Sequence, residues 1–564
     1  MRIRWLLPVV PPAVLIGAFA CGRGGPGSHD EVPPGATSDW PVAPSRSAPP
    51  SEPVPPTQAP STESKPESKP GPSPSATPAP APSTPSPLPS PAAPAPAPAP
   101  VPAPPAPPEF SRILWVAPNG NDAAAGTEGA PFRSMDKALS LLQPGEAVFL
   151  KAGTYTERLR LDDRDGTPGR YLTVKAAPGT KPVIRGGTGS SSPLLDVRRA
   201  YWRVEGLTFD VAGDRVFAAF WRGAGAHHGI LRGCTLKNGT AGAGVSIAER
   251  ASDVLIENNT IYNFQRPSDD SHGVVVETTS RNVIVRGNDI HHNSGDAVQC
   301  LGPEGGATLA GTPFDNLLVE DNELHENREN GADIKTCTRV TLRNNRIWGH
   351  RRSTTSAGEG VVVHLSARDV ILEDNVLRDN GRGIIIGGVR QGPPPTNIIV
   401  RRNLVLSGRD SDGTGTGIRV DTSTNVKVHH NTVWNMPTYG LVVGNGDSGL
   451  SQNVEVRNNL LGACAVAVRI GSTREAVSFD GNLYFSPQGA ATFRIDGGNL
   501  DFSQWRRATR WDTRSVEKAP AFVDLERGDF RLGPSSPARN AGLSLGQTFC
   551  GTAPDIGARE SDCP

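Results

Sequence analysis

An all-β solenoid of stacked parallel strands, about eleven coils long, is the fold this 564-residue sequence predicts, and three observations predict it. The first is a repeat, an apolar run followed by a polar residue, an asparagine and another apolar residue: Ile256-Glu257-Asn258-Asn259-Thr260-Ile261, then Val285-Arg286-Gly287-Asn288-Asp289-Ile290. Matching asparagines follow at Asn322, Asn345, Asn375, Asn403, Asn431, Asn459 and Asn482, with Cys234 and Leu207 in the equivalent places upstream. Their mean spacing of about 27 residues falls in the range of solenoid repeats. The second is the content of each repeat: short β-rich runs such as Gly273-Val274-Val275-Val276 and Asn282-Val283-Ile284-Val285 between Gly, Asn and Asp turns, with no helical period. The third is composition, since 63 glycines, 5% aromatics and three methionines suit many turns rather than a helical bundle.

The elements follow in chain order. Arg2 and Arg4 precede an apolar run from Trp5 to Ala20 that suits an export signal over residues 1–20. The run ends Ala18-Phe19-Ala20-Cys21, which resembles a lipoprotein cleavage box and makes Cys21 the candidate lipidation site; ordinary cleavage and free secretion is the alternative. Residues 21–110 form a Pro/Ala/Ser-rich disordered linker that has no apolar period with which to bury a face, and prolines crowd between Pro33 and Pro108. At about 3.1 Å per residue such a chain could hold a globular head on the order of 200 Å from its anchor. An exported protein at the outer membrane or cell surface, or a secreted one, is expected. Membrane contact would come only through the N-terminal lipid.

Residues 111–200 are assigned to an N-terminal cap and first coils, 201–500 to the repeats and 501–564 to an irregular C-terminal cap. A solenoid end exposes bare strand edges unless it is plugged. Ser134-Met135-Asp136-Lys137-Ala138-Leu139-Ser140-Leu141-Leu142 places Met135, Ala138, Leu139 and Leu142 on one helical face behind a Ser134 N-cap, and Pro144-Gly145 stops it. The recurring asparagine is read as a structural ladder, accepting a left-handed backbone at a tight turn and bonding its equivalent one coil away.

Trp115-Val116-Ala117-Pro118-Asn119-Gly120-Asn121-Asp122, with Lys151-Ala152-Gly153-Thr154-Tyr155, resembles the opening of many secreted β-helix proteins, family-nine pectate lyases among them. Phe522-Val523-Asp524 through Gly528-Asp529-Phe530-Arg531-Leu532, Ser536-Pro537-Ala538 and Asp555-Ile556-Gly557 resemble their common ending. The resemblance covers residues 113–558 and implies a pectate-lyase-like, single-stranded right-handed parallel β-helix. It implies less about activity, because one scaffold carries lyases, hydrolases, epimerases and adhesins.

Coil stacking at about 4.8 Å would bring Cys300 and Cys337 close to disulfide range, and Cys550 with Cys563 would close a small terminal loop. Cys234 and Cys464 read as buried free thiols. His291, His292, His325 and His350 fall at coil corners, where polar residues are expected.

Aligning coils on their strand-starting glycines gives Gly273-Val274-Val275-Val276-Glu277, Gly295-Asp296-Ala297-Val298-Gln299, Gly331-Ala332-Asp333-Ile334-Lys335, Gly360-Val361-Val362-Val363-His364 and Gly417-Ile418-Arg419-Val420-Asp421. The fourth residue is apolar throughout and points inward, so the third and fifth point outward. A strip of Glu277, Gln299, Asp333, Lys335, His364, Arg419 and Asp421 emerges, with Arg351 nearby. Asp296 follows a turn glycine and falls on the inward side of this register, where capping the turn is the alternative to binding metal. From Glu277 to His364 is about 14 Å, the size of a few sugar rings. The insertion from Leu301 to Pro313 leaves the sheet beside the strip and is expected to wall a groove.

In β-elimination a base takes the proton α to a uronate carboxylate, and the pectate-lyase resemblance implies a lysine base beside aspartate-bound calcium. Lys335 is then the base and His364 the acid or charge stabiliser. Asp333, Asp296, Asp269 and Asp270 are candidate calcium ligands or anchors, and Glu277, Gln299, Arg419, Asp421 and Arg351 are substrate contacts; Glu329 is a further acid near these strand starts. An outward ion pair of Asp333 and Lys335 with Glu277 or neighbours, and a surface or packing role for His364, are the alternatives. The expected partner is an acidic polysaccharide bound by a monomer, with no organic cofactor. Since 57 basic residues balance 57 acidic ones, no nucleic-acid partner is implied. The competing reading is a non-catalytic, adhesin-like glycan-binding module on the same face.

Overall fold

The computed structural model describes residues 109–266, 269–301, 313–388, 393–408, 415–444, 451–471, 476–561 and 563. The signal, Cys21, the linker up to residue 108 and most of the 301–313 insertion therefore lie outside the described residues. Three sheets of fourteen strands each run through the rest. Every coil gives one strand to each sheet, as Arg281–Arg286 does to the first, Asp289–His291 to the second and Val298–Cys300 to the third. Strands of successive coils pair in parallel and in register, for example Val254, Val283, Leu317, Val340 and Val370 in one column. On the third sheet Val245, Val274, Val298, Ala332, Val361, Ile384 and Ile418 form such a column inside the coil, each at most 1% exposed. Burying each larger side chain contributes about 1.5–3 kcal/mol, so one repeated apolar letter per strand is enough to build a continuous core.

The first strand begins at Ile113, so the stack reaches further upstream than Leu207, the first position that the repeat pattern marks. The upstream coils lack ladder asparagines, which is why the sequence pattern counts fewer coils than there are strands per sheet.

The ladder itself is continuous. From Cys234 through Asn259, Asn288, Asn322, Asn345, Asn375, Asn403, Asn431, Asn459 and Asn482, each backbone N–H donates to the side-chain Oδ1 one coil on, at 2.9–3.1 Å, until Ser515 Oγ takes the last at 2.7 Å. The side-chain amides also donate back to carbonyls of the previous coil, as Asn345 Nδ2 does to Val319 O at 2.9 Å. The expected left-handed backbone is one residue earlier than the sequence reading put it: Asn258, Gly287, Asp321, Asn344, Asp374, Arg402, His430, Asn458 and Gly481 have φ of 52–67°. The preceding residue makes the bend, which frees the asparagine side chain to point into the coil. A second, shorter ladder at the next corner links Asn293, Asn327, His350 and Asn380, with His350 donating its N–H to Asn380 Oδ1. His350 is fully buried, and burial holds its pKa down at about 4, so it is neutral at pH 7.

Helix Met135–Leu141 closes the front with Ser134 as N-cap and with Met135, Ala138 and Leu142 buried, as predicted. The rear cap is more ordered than the expected irregular tail: strand Gly498–Leu500 turns back antiparallel on Phe493–Ile495, and helix Phe502–Thr509 follows behind an Asp501 capping box. Its fully buried Trp505 stacks on Phe493 and donates to Asp512 Oδ2 at 2.7 Å, while Asn482 Nδ2 donates to Asp512 Oδ1, so a serine and an aspartate end the ladder. Disulfides join Cys300 to Cys337, with Cα atoms 6.4 Å apart on adjacent coils, and Cys550 to Cys563; Cys234 and Cys464 are free and buried.

Asn345→Ala would orphan the Asn322 N–H and amide donors in the interior and is expected to lower stability by about 3 kcal/mol. In the exposed row, Asn425→Gly, which tolerates the left-handed backbone there (φ 56°), removes the bonds to Asn397 and Asn453 and should change the urea midpoint by less than a third as much.

Candidate functional site

The polar strip lies on the outer face of the third sheet. Gln299 pairs across to Asp333 and Asp333 to Val362, while Ala332 and Ile334 on either side of Asp333 are fully buried, and this alternation turns Asp333 outward. Lys335 and His364 follow in line, their N–H groups donating to Cys300 O and Ile334 O at 3.1 and 2.9 Å.

At the centre the Nε2–H of His364 donates to Asp333 Oδ1 at 2.7 Å, and Lys335 Nζ lies 3.9 Å from Asp333 Oδ2. Burial disfavours the Asp333 carboxylate, yet His364 and Lys335 outweigh it and hold its pKa down at about 2. His364 Nδ1 is buried without a hydrogen-bond partner among the described residues. Glu329, 6% exposed, goes the other way: burial, then repulsion from Asp296 and Asp270, push it up to about 9 although the Thr355 hydroxyl donates to it. Near neutral pH the cluster thus contains one ionised and one protonated carboxyl group, a division of labour suited to acid and base steps.

The strip extends both ways. Glu277 accepts from Ser246 Oγ at 2.9 Å and its pKa is raised by burial. On the other side Arg382 Nη1 donates to Glu359 Oε1 at 3.2 Å, and Arg419 pairs with Asp421. From Glu277 to Asp421 is five coil steps, about 24 Å.

Several sequence expectations need correction. Gln299 stands in the Asp333 column rather than beside Lys335, whose equivalent in that coil is Leu301. The cause is that Ala297, not Gly295, takes the strand-start place: Val274 donates to Ala297 O and Val298 to Gly331 O. The same shift removes Asp296 from the apolar interior. It is fully buried, but its carboxylate accepts from the Asn330 N–H and amide and from Gln299 Nε2 at 2.8–3.1 Å, so it caps the neighbouring coil instead of anchoring substrate or metal. Asp269 pairs with Arg266, and Asp270 with Arg328 at 2.6 Å. Among the described residues no three of Asp269, Asp270, Asp296 and Asp333 bring ligand oxygens within 4.8 Å of one another. In this arrangement each is held by its own cation or donor, while Asp296, Asp270 and Asp333 all stand close enough to repel Glu329, and no chemical step is derived through a cation here. Arg351 is exposed; Thr355 and Ser356 of its connection meet the cluster instead, Ser356 Oγ donating to Asn330 Oδ1 and Glu359 Oε2 at 2.8 Å. The proposed wall at 302–312 lies outside the described residues.

Reading outward columns only after the glycine also missed His272, Asn330, Glu359 and Arg382. They precede the strand start on successive coils, and five consecutive polar residues there, with Asp296 among them, were the available signal.

Two family descriptions match the chain: a Pel9A-like right-handed β-helix region over residues 114–308, and a right-handed β-helix region over 312–461 and 354–503. A relative from Bacillus subtilis, the uncharacterized protein YwoF, is 26% identical over 461 residues, covering 76% of this chain and 92% of that one. Pectate lyase PEL9 of Emericella nidulans is 32% identical over 74 residues, covering 13% and 18%. The crystal structure of pectate lyase Pel9A superimposes with a TM-score of 0.40 at 18% identity over 80% of this chain and 96% of that one. The chain is a right-handed parallel β-helix repeat protein. Its architecture is pectate-lyase-like.

The Glu329 proton has a consequence for stability. The unfolded chain ionises this group at its ordinary low value and the folded chain only near 9, so its contribution falls as pH rises between the two. Glu329→Gln, uncharged at every pH, is expected to raise the thermal midpoint at about pH 8 but hardly at about pH 4. Equal midpoint shifts at both pH values would contradict the assigned protonation state.

Proposed function

We propose that this protein cleaves an acidic polysaccharide by β-elimination, with the sugar chain lying along the outer face of the third sheet. The observation that carries the reading is the geometry of a buried carboxyl pair on this face: Asp333 takes the His364 N–H at 2.7 Å and lies 3.9 Å from Lys335 Nζ, and Glu329, its pKa raised by burial, accepts from the Thr355 hydroxyl. Asp333, which can only accept, fixes the His364 tautomer by taking its Nε2–H and leaves the Nδ1 lone pair unpartnered. On substrate binding the His364 ring turns this buried atom outward, and its lone pair takes the proton α to the uronate carboxylate. The C–H electron pair becomes the new C=C bond, the C–O bond to the leaving sugar breaks, and protonated Glu329 supplies the proton to the departing oxygen. Lys335 and the two arginines offset the charge that builds on the carboxylate.

This moves the base from Lys335 to His364, because the lysine sits as an ion pair against Asp333. Hydrolysis is the second reading, favoured by the same carboxyl pair, with Glu329 as acid. A non-catalytic glycan-binding surface is the third. Export and lipidation at Cys21 accord with a polymer substrate outside the cell and belong to this proposal.

The assay uses the full chain on pectate, alginate and glycosaminoglycans, with added calcium or chelator. Absorbance near 235 nm is expected to rise, and His364→Ala and Glu329→Gln to slow it by about 10²–10⁴. New reducing ends without absorbance would make the protein a hydrolase, and binding without either would make it a lectin-like surface. Lys335→Ala slowing the reaction more than His364→Ala would return the base to the lysine.

A further inference from the structure

A different face carries a cluster that the strip does not use. On the outer side of the second sheet, register stacks Tyr262, His291, His325, Trp348 and Arg378 in one column. His291 and His325 thus sit within strands Asp289–His291 and Glu323–His325 rather than at corners. Asp289 lies two residues before His291 and so shares its face, while His325 comes from the next coil. The His325 ring stacks between its neighbours, 4.9 Å from His291 and 4.3 Å from Trp348 at 3°.

The donors converge. Asp289 Oδ1 is 3.0 Å from His325 Nε2 and Asp289 Oδ2 is 4.0 Å from His291 Nε2, and the three residues bring ligand atoms within 4.8 Å of one another. Ligand atoms around a tetrahedral zinc at about 2.0–2.1 Å stand about 3.3 Å apart, so the set closes when the partly exposed His291 ring, now stacked at 18° to His325, turns to aim its Nε2 at the same point. Stacking accounts for the two rings but not for a carboxylate placed across both imidazole edges. His292 and Glu326 approach the other nitrogen, with Glu326 Oε2 3.1 Å from His325 Nδ1, and a carboxylate there fixes the orientation of the ring, as outer partners of metal-bound histidines do.

We infer that Asp289, His291 and His325 form a binding site for a zinc-class divalent transition ion that clips two adjacent coils together. Two imidazoles and one carboxylate favour zinc, nickel or copper over calcium or magnesium. Three protein ligands leave a position for water. The site lies on another sheet from the polysaccharide strip and does not depend on that reading.

Equilibrium dialysis of the full chain against zinc chloride, with calorimetry, tests this. One saturable zinc per chain is expected, with a higher thermal midpoint and altered Trp348 emission, the emission change being lost in Trp348→Phe. His325→Ala should weaken binding at least about tenfold; should that variant misfold, Asp289→Asn and His291→Asn at the surface should do the same. His292→Gln, which removes only the partner of His291 Nδ1 at 2.8 Å, should weaken binding less than His325→Ala does. Unsaturable binding, or binding unchanged in all the ligand variants, overturns the site. Loss in His292→Gln with retention in His291→Asn also overturns it, by moving the ion to the other edge of His325.

Discussion

Everything in this molecule hangs on coil-to-coil registration, and the asparagine ladder is what enforces it. Asn288 and Asn322 are 34 residues apart and Asn322 and Asn345 only 23, yet the amide-to-Oδ1 distances are 3.0 and 2.9 Å. Coil length varies by half while the axial step does not, because the buried amides must find partners and any slip leaves several unsatisfied. Extra residues are therefore expelled into the connections, and the sheets stay in register from end to end.

Registration is also what makes a site possible on such a scaffold. Glu277, Asp333, His364, Arg382 and Arg419 are far apart in sequence and share no local motif, but each sits at the outward place of its own coil. Stacking brings them to one surface where burial, rather than net charge, sets the chemistry. The chain as a whole is neutral, while Glu329 and Asp333 are driven apart by different neighbours in the same small volume.

The fold was legible because its determinant repeats: one asparagine and one apolar column, read nine times over, leave little freedom for another architecture. The helix behind Ser134 was legible for the same local reason, a cap followed by a 3.6-residue apolar period. Helix Phe502–Thr509 has only Phe502 and Trp505 on its apolar face, with Arg506 and Arg507 beside them, a stripe too short to stand out in the sequence; its place is set by the aromatic plug formed with Phe493 and Phe479. The strip was half legible. Asp333, Lys335 and His364 followed from strict alternation, but Ala297 standing in for a strand-start glycine shifted one coil and with it Gln299 and Asp296. The protonation state of Glu329 arises from three-dimensional neighbours and has no signature in the chain.

The rear cap has a consequence for assembly. A parallel stack ends on strands that would template an identical coil from another molecule, which is the geometry of fibre growth. Here Gly498–Leu500 meets the last third-sheet strand running the opposite way, and Ser515 occupies the place of the next ladder asparagine, so that it and Asp512 accept from Asn482 with no amide to pass on. An incoming coil would find the wrong polarity and an interrupted relay, so the solenoid carries its own chain terminator.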